Sequence, residues 1–267
     1  MLPQSFGARV IFLLQQYWPS YLNGAKTTLI VALVGTLVGC LIGFLAGIIQ
    51  TIPVNPNDSI LKKGLLKVVN VLLSIYVEVF RGTPMMVQAM FIYYGLLFVN
   101  IHMSMWFAAF FIVSINTGAY MAETVRGGIC SIDIGQTEGA KAIGMSHFQT
   151  MTSVILPQAL RNIMPQIGNN LIINIKDTSV LSVISVTELF FTGKSVAGAY
   201  YTYFESFFIV SVIYLIMTVT CSRILRYTER RMDGNASYDL ANTDTLAYTS
   251  GMANYIRKEG GQIDGKR

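Results

Sequence analysis

Charge is what this sequence has least of. Only 12% of its 267 residues are Asp, Glu, Lys or Arg, about half the roughly 25% usual in soluble domains. Thr27 to Asn57 holds no charged residue, and Gly82 to Ala122 holds none if His102 is neutral. Gaps of that length, with a mean hydropathy of +0.52, argue against a soluble chain and for several membrane spans. Histidine is scarce too: His102 and His147 stand apart, so no metal site follows from them. The three cysteines, Cys40, Cys130 and Cys221, are scattered and odd in number. They read as small apolar filler, not as a disulfide framework. No basic stretch leads into a cleavage site, so no signal peptide is recognised. The net charge of +5 is not gathered on one soluble face, which argues against nucleic acid as a partner.

Charge gaps divide the chain. The expected architecture is an all-α membrane protein with about five transmembrane helices, near 25–50, 66–98, 104–125, 165–190 and 204–223. The long gap from Gly82 breaks at Asn100 to Ser104, and Lys176 and Asp177 interrupt the fourth span. With the N-terminus outside, the inner segments hold fourteen Lys and Arg, against Arg9, Lys26 and Lys194 outside. That asymmetry predicts the N-terminus outside and the C-terminus in the cytoplasm. Residues 1–23, rich in aromatics but too short to span, read as an interfacial helix on the outer face. Residues 232–267 read as a flexible polar tail.

Two patterns lie within the spans. Gly35, Gly39, Gly43 and Gly47 recur every fourth residue and line one helix face. Such a face admits a second helix at close range, from this chain or from another subunit. Polar residues form stripes: Asn116, Tyr120 and Glu123 in the third span, Asn170, Asn174 and Asp177 in the fourth. Glu78 and Arg81, three apart, are placed to pair, and Gly82 and Pro84 loosen the helix after them. Asp177 and Glu188, eleven apart, are expected on one side of a helix. Intramembrane polar groups point to function or to helix–helix joints. We take Asn116, Asn174, Asp177, Thr178 and Glu188 as candidates for a polar route. The carboxylates would face an ammonium or a basic side chain, and the neutral groups would serve either end of a solute. Lys176 would offset Asp177 or reach a carboxylate.

Several apparent motifs fail on inspection. "GGQIDGKR" approaches a phosphate-binding loop but ends in Arg267, where Ser or Thr is required. "GAKTTL" at 24–29 lacks the preceding glycines. Asn235-Ala236-Ser237 matches a glycosylation acceptor but falls on the expected inner side.

One stretch remains, "TEGAKAIGMSHFQTMTSVILPQAL", a polar helical hairpin between apolar regions. It resembles the cytoplasmic signature loop of permease subunits in ATP-binding-cassette importers, E-A-A, three residues, G, nine residues, I-x-L-P. Glu138, Gly139 and Ala140 take the first places, Gly144 the glycine, Val154 the Ile, and Leu156-Pro157 the end. Gly139 and Val154 depart from the pattern. With "YVEVFRGTPMMVQ", "NTGAYMAETVRGGICSI" and "KDTSVLSVISVTEL", residues 24–231 resemble the polar amino acid permeases of that superfamily. The resemblance implies a transport subunit of a bacterial-type plasma (inner) membrane, not an enzyme. It implies no cofactor in this chain, with ATP and magnesium held by a partner ATPase. It also implies a second permease, identical or related, and an extracytoplasmic amino-acid-binding protein. Glu138, Gly139, Ala140, Ala142, Gly144 and Pro157 would then form the coupling helix. Small residues would seat it in a cleft of the ATPase, Gly144 would turn the chain, and Pro157 would start the next helix.

Two rival classes are weighed. An ATP-independent transporter or channel leaves the docking loop unexplained. An intramembrane enzyme needs paired catalytic groups, but neighbours in Lys176-Asp177-Thr178-Ser179 point to different helix faces.

Overall fold

The computed structural model describes residues 3–54 and 59–232. All regular structure among them is helical: α1 Phe6–Gln50, α2 Ile60–Gly82, α3 Met85–Phe98, α4 Met105–Cys130, α5 Ile134–Ala142, α6 His147–Thr150, α7 Leu156–Asp177, α8 Leu189–Tyr200 and α9 Tyr203–Met232. A wide π turn, Met151–Ile155, joins α6 to α7, and a tight 3-10 stretch, Thr178–Ile184, follows α7. Three helices, Phe6–Gln50, Met105–Cys130 and Tyr203–Glu229, are long and apolar enough to cross a membrane. A fourth crossing arises if His147–Ile184 and Leu189–Tyr200, bent by 53°, form one broken span.

The centre of the fold is the seam between α1 and α4. Gly35 lies against Val113, Gly39 against Thr117, Gly43 against Met121 and Gly47 against Val125. The partners advance by four residues on both helices, so α1 and α4 run parallel. A Cβ on Gly39 would stand 2.6 Å from Thr117 Cβ and 2.9 Å from the Ser114 carbonyl oxygen. On Gly47 it would stand 2.8 Å from the Ala122 carbonyl oxygen. The face therefore packs within the chain, backbone on backbone, where dispersion and not water expulsion supplies the attraction. The other side of α1 shows Leu33, Leu37, Leu41 and Leu45 outward, as a lipid-facing surface requires.

Three expectations change. Residues 6–23 are not a separate segment: α1 runs unbroken for 45 residues, about 68 Å, through Pro19. Side-chain contacts hold this extension. Arg9 pairs with Glu205 at 3.1 Å, the Tyr17 hydroxyl donates to that of Tyr200 at 3.1 Å, and Phe6 packs on Phe204 and Phe208. The expected span 66–98 is two helices broken at Thr83-Pro84. Asp177 and Glu188 do not share a helix, because the 3-10 stretch and the left-handed Ser185 (φ 64°) lie between them. The chain divides into Met1–Leu225 and a unit from Arg226, of which the last residues of α9 are described. The expected tail, apart from Met232, the glycosylation match and "GGQIDGKR" lie outside the described residues.

The seam is testable by a pair of opposite signs. Ala is better than Gly in a helix by about 1 kcal/mol, and a Cβ on Gly95 meets nothing within 4 Å. Gly95→Ala is expected to hold or raise the melting temperature of the detergent-solubilised chain. Gly43→Ala is expected to lower it, by about 1–3 kcal/mol of overpacking. Equal shifts would contradict the seam.

Candidate functional site

Both breaks in the helices are closed by polar side chains. At the first, Pro84 has no N–H, so the Phe80 carbonyl loses its helical donor. Gln88 Nε2 donates to Phe80 O at 2.9 Å, to Thr83 O at 2.9 Å and to Thr83 Oγ1 at 2.8 Å. Asn116 Nδ2, from α4, adds bonds to Phe80 O at 3.2 Å and to Gln88 Oε1 at 2.9 Å. Tyr76 donates its hydroxyl to Ile115 O at 2.6 Å beside this joint. Arg81 pairs with Glu123 and lies over the Tyr120 ring. The expected Glu78–Arg81 pair does not form, because Arg81 turns across to α4.

At the second break, Glu188 is fully buried and caps α8. Its carboxylate accepts from Phe190 N at 2.8 Å, Phe191 N at 2.6 Å and the Tyr214 hydroxyl at 2.8 Å. Leu189 N donates to Thr28 Oγ1 of α1 at 3.3 Å, and Glu188 N to Val186 O at 2.9 Å. The four unpaired donors of a helix start are thus all met. The two breaks touch: Tyr94 of α3 donates to Val183 O at 3.3 Å, and Ala89, Leu181, Ile184 and Val186 share one apolar cluster.

A third joint lies between α1, α4 and α7. Asn174 Nδ2 donates to Thr36 Oγ1 at 2.7 Å and to Thr117 Oγ1 at 2.9 Å, all three residues buried. Thr178 Oγ1, also buried, donates to Ile175 O at 3.0 Å. Of the five residues expected along a polar route, Asn116, Asn174, Thr178 and Glu188 are therefore held in joints within the chain. Asp177 differs: it is exposed at the end of α7, as is Lys176.

The hairpin is built separately. Asp133 caps α5, accepting from Gly135 N at 2.7 Å. Gly144 N donates to Lys141 O at 2.9 Å and Met145 N to Ala140 O at 3.0 Å. That bond pair is a Schellman stop, and Gly144 (φ 84°) supplies its left-handed residue. Ser146 and Gln149 then form a capping box for α6. Glu138, Gly139 and Ala142 face outward, whereas Ala140 is buried against the chain itself. Ile134, Ile143 and Phe148 stand 74–80% exposed around α5. Pro157 stands in the first turn of α7, which continues a helical path begun at His147. The π turn before it relieves the clash a proline makes with the carbonyl four residues back.

One feature of α2 escaped the sequence reading. Lys67, Asn70, Ser74 and Glu78 fall on one face, beside an open groove of about 540 Å³. Their spacing of three and four was the available signal.

A bundle with two broken, mutually packed helices and an exposed capped hairpin is compatible with a membrane transport subunit. The family described as binding-protein-dependent transport system inner membrane component matches residues 59–234, and the chain belongs to it. It is 44% identical over 160 residues to the glutamine transport system permease protein GlnP of Escherichia coli K12, covering 59% of this chain and 73% of that one. It is 33% identical over 229 residues to the nopaline transport system permease protein NocM of Agrobacterium fabrum, covering 82% and 90%. A crystal structure of an amino acid ABC transporter with histidines superposes with a TM-score of 0.73 at 34% identity, covering 82% and 97%.

The joints separate by stability. Glu188→Gln is expected to lower the melting temperature of the solubilised chain, since a buried N–H or hydroxyl left unmet costs about 1–3 kcal/mol. Asp177→Asn, with no hydrogen bond or ion pair among the described residues, is expected to leave it within 1 °C, on the order of a surface change. A melting shift for Asp177→Asn as large as for Glu188→Gln would overturn the assignment.

Proposed function

We propose that this chain is the permease subunit of an ATP-binding-cassette importer that takes up a polar amino acid. The exposed α5 hairpin carries the reading. It is stopped at both ends by its own hydrogen bonds and exposes Glu138, Gly139 and Ala142, ringed by apolar side chains. An isolated helix of nine residues is not stable by propensity alone, so the caps and the buried Ala140 fix it for docking. The partner is an ATPase, which binds the ATP and magnesium that this chain does not need to hold. Closure of two such ATPases would move the docked hairpins as rigid bodies and rock the spans.

Counting α2 with α3, and α7 with α8, as broken spans gives five crossings. The parallel course of α1 and α4 supports one return crossing between them, and the charge asymmetry supports the N-terminus outside and the hairpin in the cytoplasm. A second permease, identical or related, would complete the route, and an extracytoplasmic binding protein would deliver the amino acid. The glutamine and nopaline permeases among the relatives support the substrate class. Asp177 keeps its place as a route residue on its exposure; buried Asn174, Thr178 and Glu188 and half-buried Asn116 are joints.

A Cβ on Gly139 meets nothing in the chain, so a bulky residue there is compatible with the fold and would fill a docking cleft. Gly139→Trp is expected to insert normally and to keep its melting temperature. It is expected to lose at least about tenfold in ATP-driven uptake, a loss of about 1.4 kcal/mol or more. Uptake at the unmodified rate, at equal membrane levels, would refute the docking role.

A further inference from the structure

The polar face of α2 has no cover in this chain. At about 100° per residue, Lys67, Asn70, Ser74 and Glu78 lie within about 80° of the helix circumference. Leu65, Val68, Leu72 and Val79 lie on the opposite side, and Tyr76 and Phe80 are turned toward α4. No residue of α2 is buried. Lys67, Ser74 and Glu78 are exposed, and Glu78 has no hydrogen bond or ion pair among the described residues. Asn70 Oδ1 is shut off from water and has no hydrogen-bond partner. Beside this face runs an open groove of about 540 Å³, lined also by Val54, Lys63, Val71 and Ile75.

Lipid cannot be the neighbour of such a face, because an unpaired carboxylate, amide and ammonium are all unfavourable there. The three-fold division of α2 into an α4-packing face, an apolar face and a polar face already assigns a place to the lipid. Resting on the importer reading, we propose that the polar face is one wall of the solute route, and that Glu78 holds the solute's ammonium group. Arg81, one turn on, cannot compete for Glu78 because it is engaged with Glu123. Ser74 lies one turn below Glu78, about 6 Å along the axis, which suits the carboxylate of the same amino acid. The Ser74 hydroxyl and the Asn70 side-chain N–H supply donors to it. Lys67 stands about 16 Å from Glu78 along the axis, too far to share one head group, and gives the lower route a field that draws in carboxylates.

The test uses the full complex, permease with ATPase, in a background with Cys40, Cys130 and Cys221 changed to Ser. A charged methanethiosulfonate reagent is applied to sealed and to opened membrane vesicles. Ser74→Cys and Asn70→Cys are expected to react at least tenfold faster than Leu72→Cys on the apolar side. Equal inertness of the three would overturn the proposal, as would spontaneous disulfide crosslinking of Ser74→Cys between two permeases without reagent access, which marks a dry subunit interface. Glu78→Gln is then expected to raise the concentration of L-glutamine or L-arginine for half-maximal uptake at least tenfold, in whichever the unmodified complex carries. Basal ATP hydrolysis and melting temperature are expected to stay the same, and Glu78→Asp to recover part of the loss. Unchanged uptake by Glu78→Gln would overturn the ammonium site. The labelling contrast needs no ATP, so it fails or stands apart from the importer reading, which fails if the unmodified complex shows no ATP-dependent uptake.

Discussion

A backbone carbonyl that loses its donor inside a membrane helix must find another within the protein. Pro84 removes the donor for Phe80, and the rest of the joint follows from that loss. Gln88 reaches back from the first turn of α3, and Asn116 reaches across from α4. Once Asn116 is fixed there, α2 is tied to α4. The Tyr76 hydroxyl and the Arg81–Glu123 pair settle on the same interface. The second break obeys the same rule with the opposite sign. There the start of α8 leaves N–H groups without acceptors, and the Glu188 carboxylate, Thr28 and the Val186 carbonyl meet them. Both discontinuities are therefore rigid, and they pack on each other through α3 and the 3-10 stretch.

The α1–α4 seam gives these joints their frame. Glycine at every fourth position brings two parallel helices into backbone contact, and Thr36 and Thr117 on that seam hold Asn174 of α7. Three helices are so locked at one level. The far end of α4 then packs with α7 through Met121, Val125, Ile155, Ala159 and Ile163, and the hairpin projects from that end. A displacement of α5 has a stiff element on which to act. The α2 polar face lies outside the lock and remains available to solute and water.

The glycine face and the hairpin were legible in the sequence because both are short-range patterns: a period of four, and small residues ending at a glycine. The family resemblance added what spacing alone does not give, the identity of the hairpin. The breaks at Pro84 and near Asp177 were visible as loosened or charged places, but not their repair. Asn116 finds its acceptor 36 residues away and Glu188 finds Tyr214 26 residues away. A stripe of polar residues looks the same in sequence whether it closes a joint or lines a route. Ala140 shows the same limit on a smaller scale, since helix period alone does not say which small residue turns inward. The continuity of α1 through residues 6–23 is not legible in sequence, because its aromatic residues suit a membrane interface as well as they suit packing on α8 and α9. The α2 stripe is hard to separate in sequence from a local Glu78–Arg81 pair, because both follow helical spacing.

On this reading the chain moves a polar amino acid only when an ATPase acts on its hairpin. The most direct measurement is uptake of radiolabelled polar amino acids into proteoliposomes holding this chain, its ATPase and its binding protein, with ATP enclosed or applied on the ATPase side. The account expects accumulation against a gradient that requires hydrolysable ATP and all three proteins. Equal accumulation by this chain alone, without ATP, would contradict it.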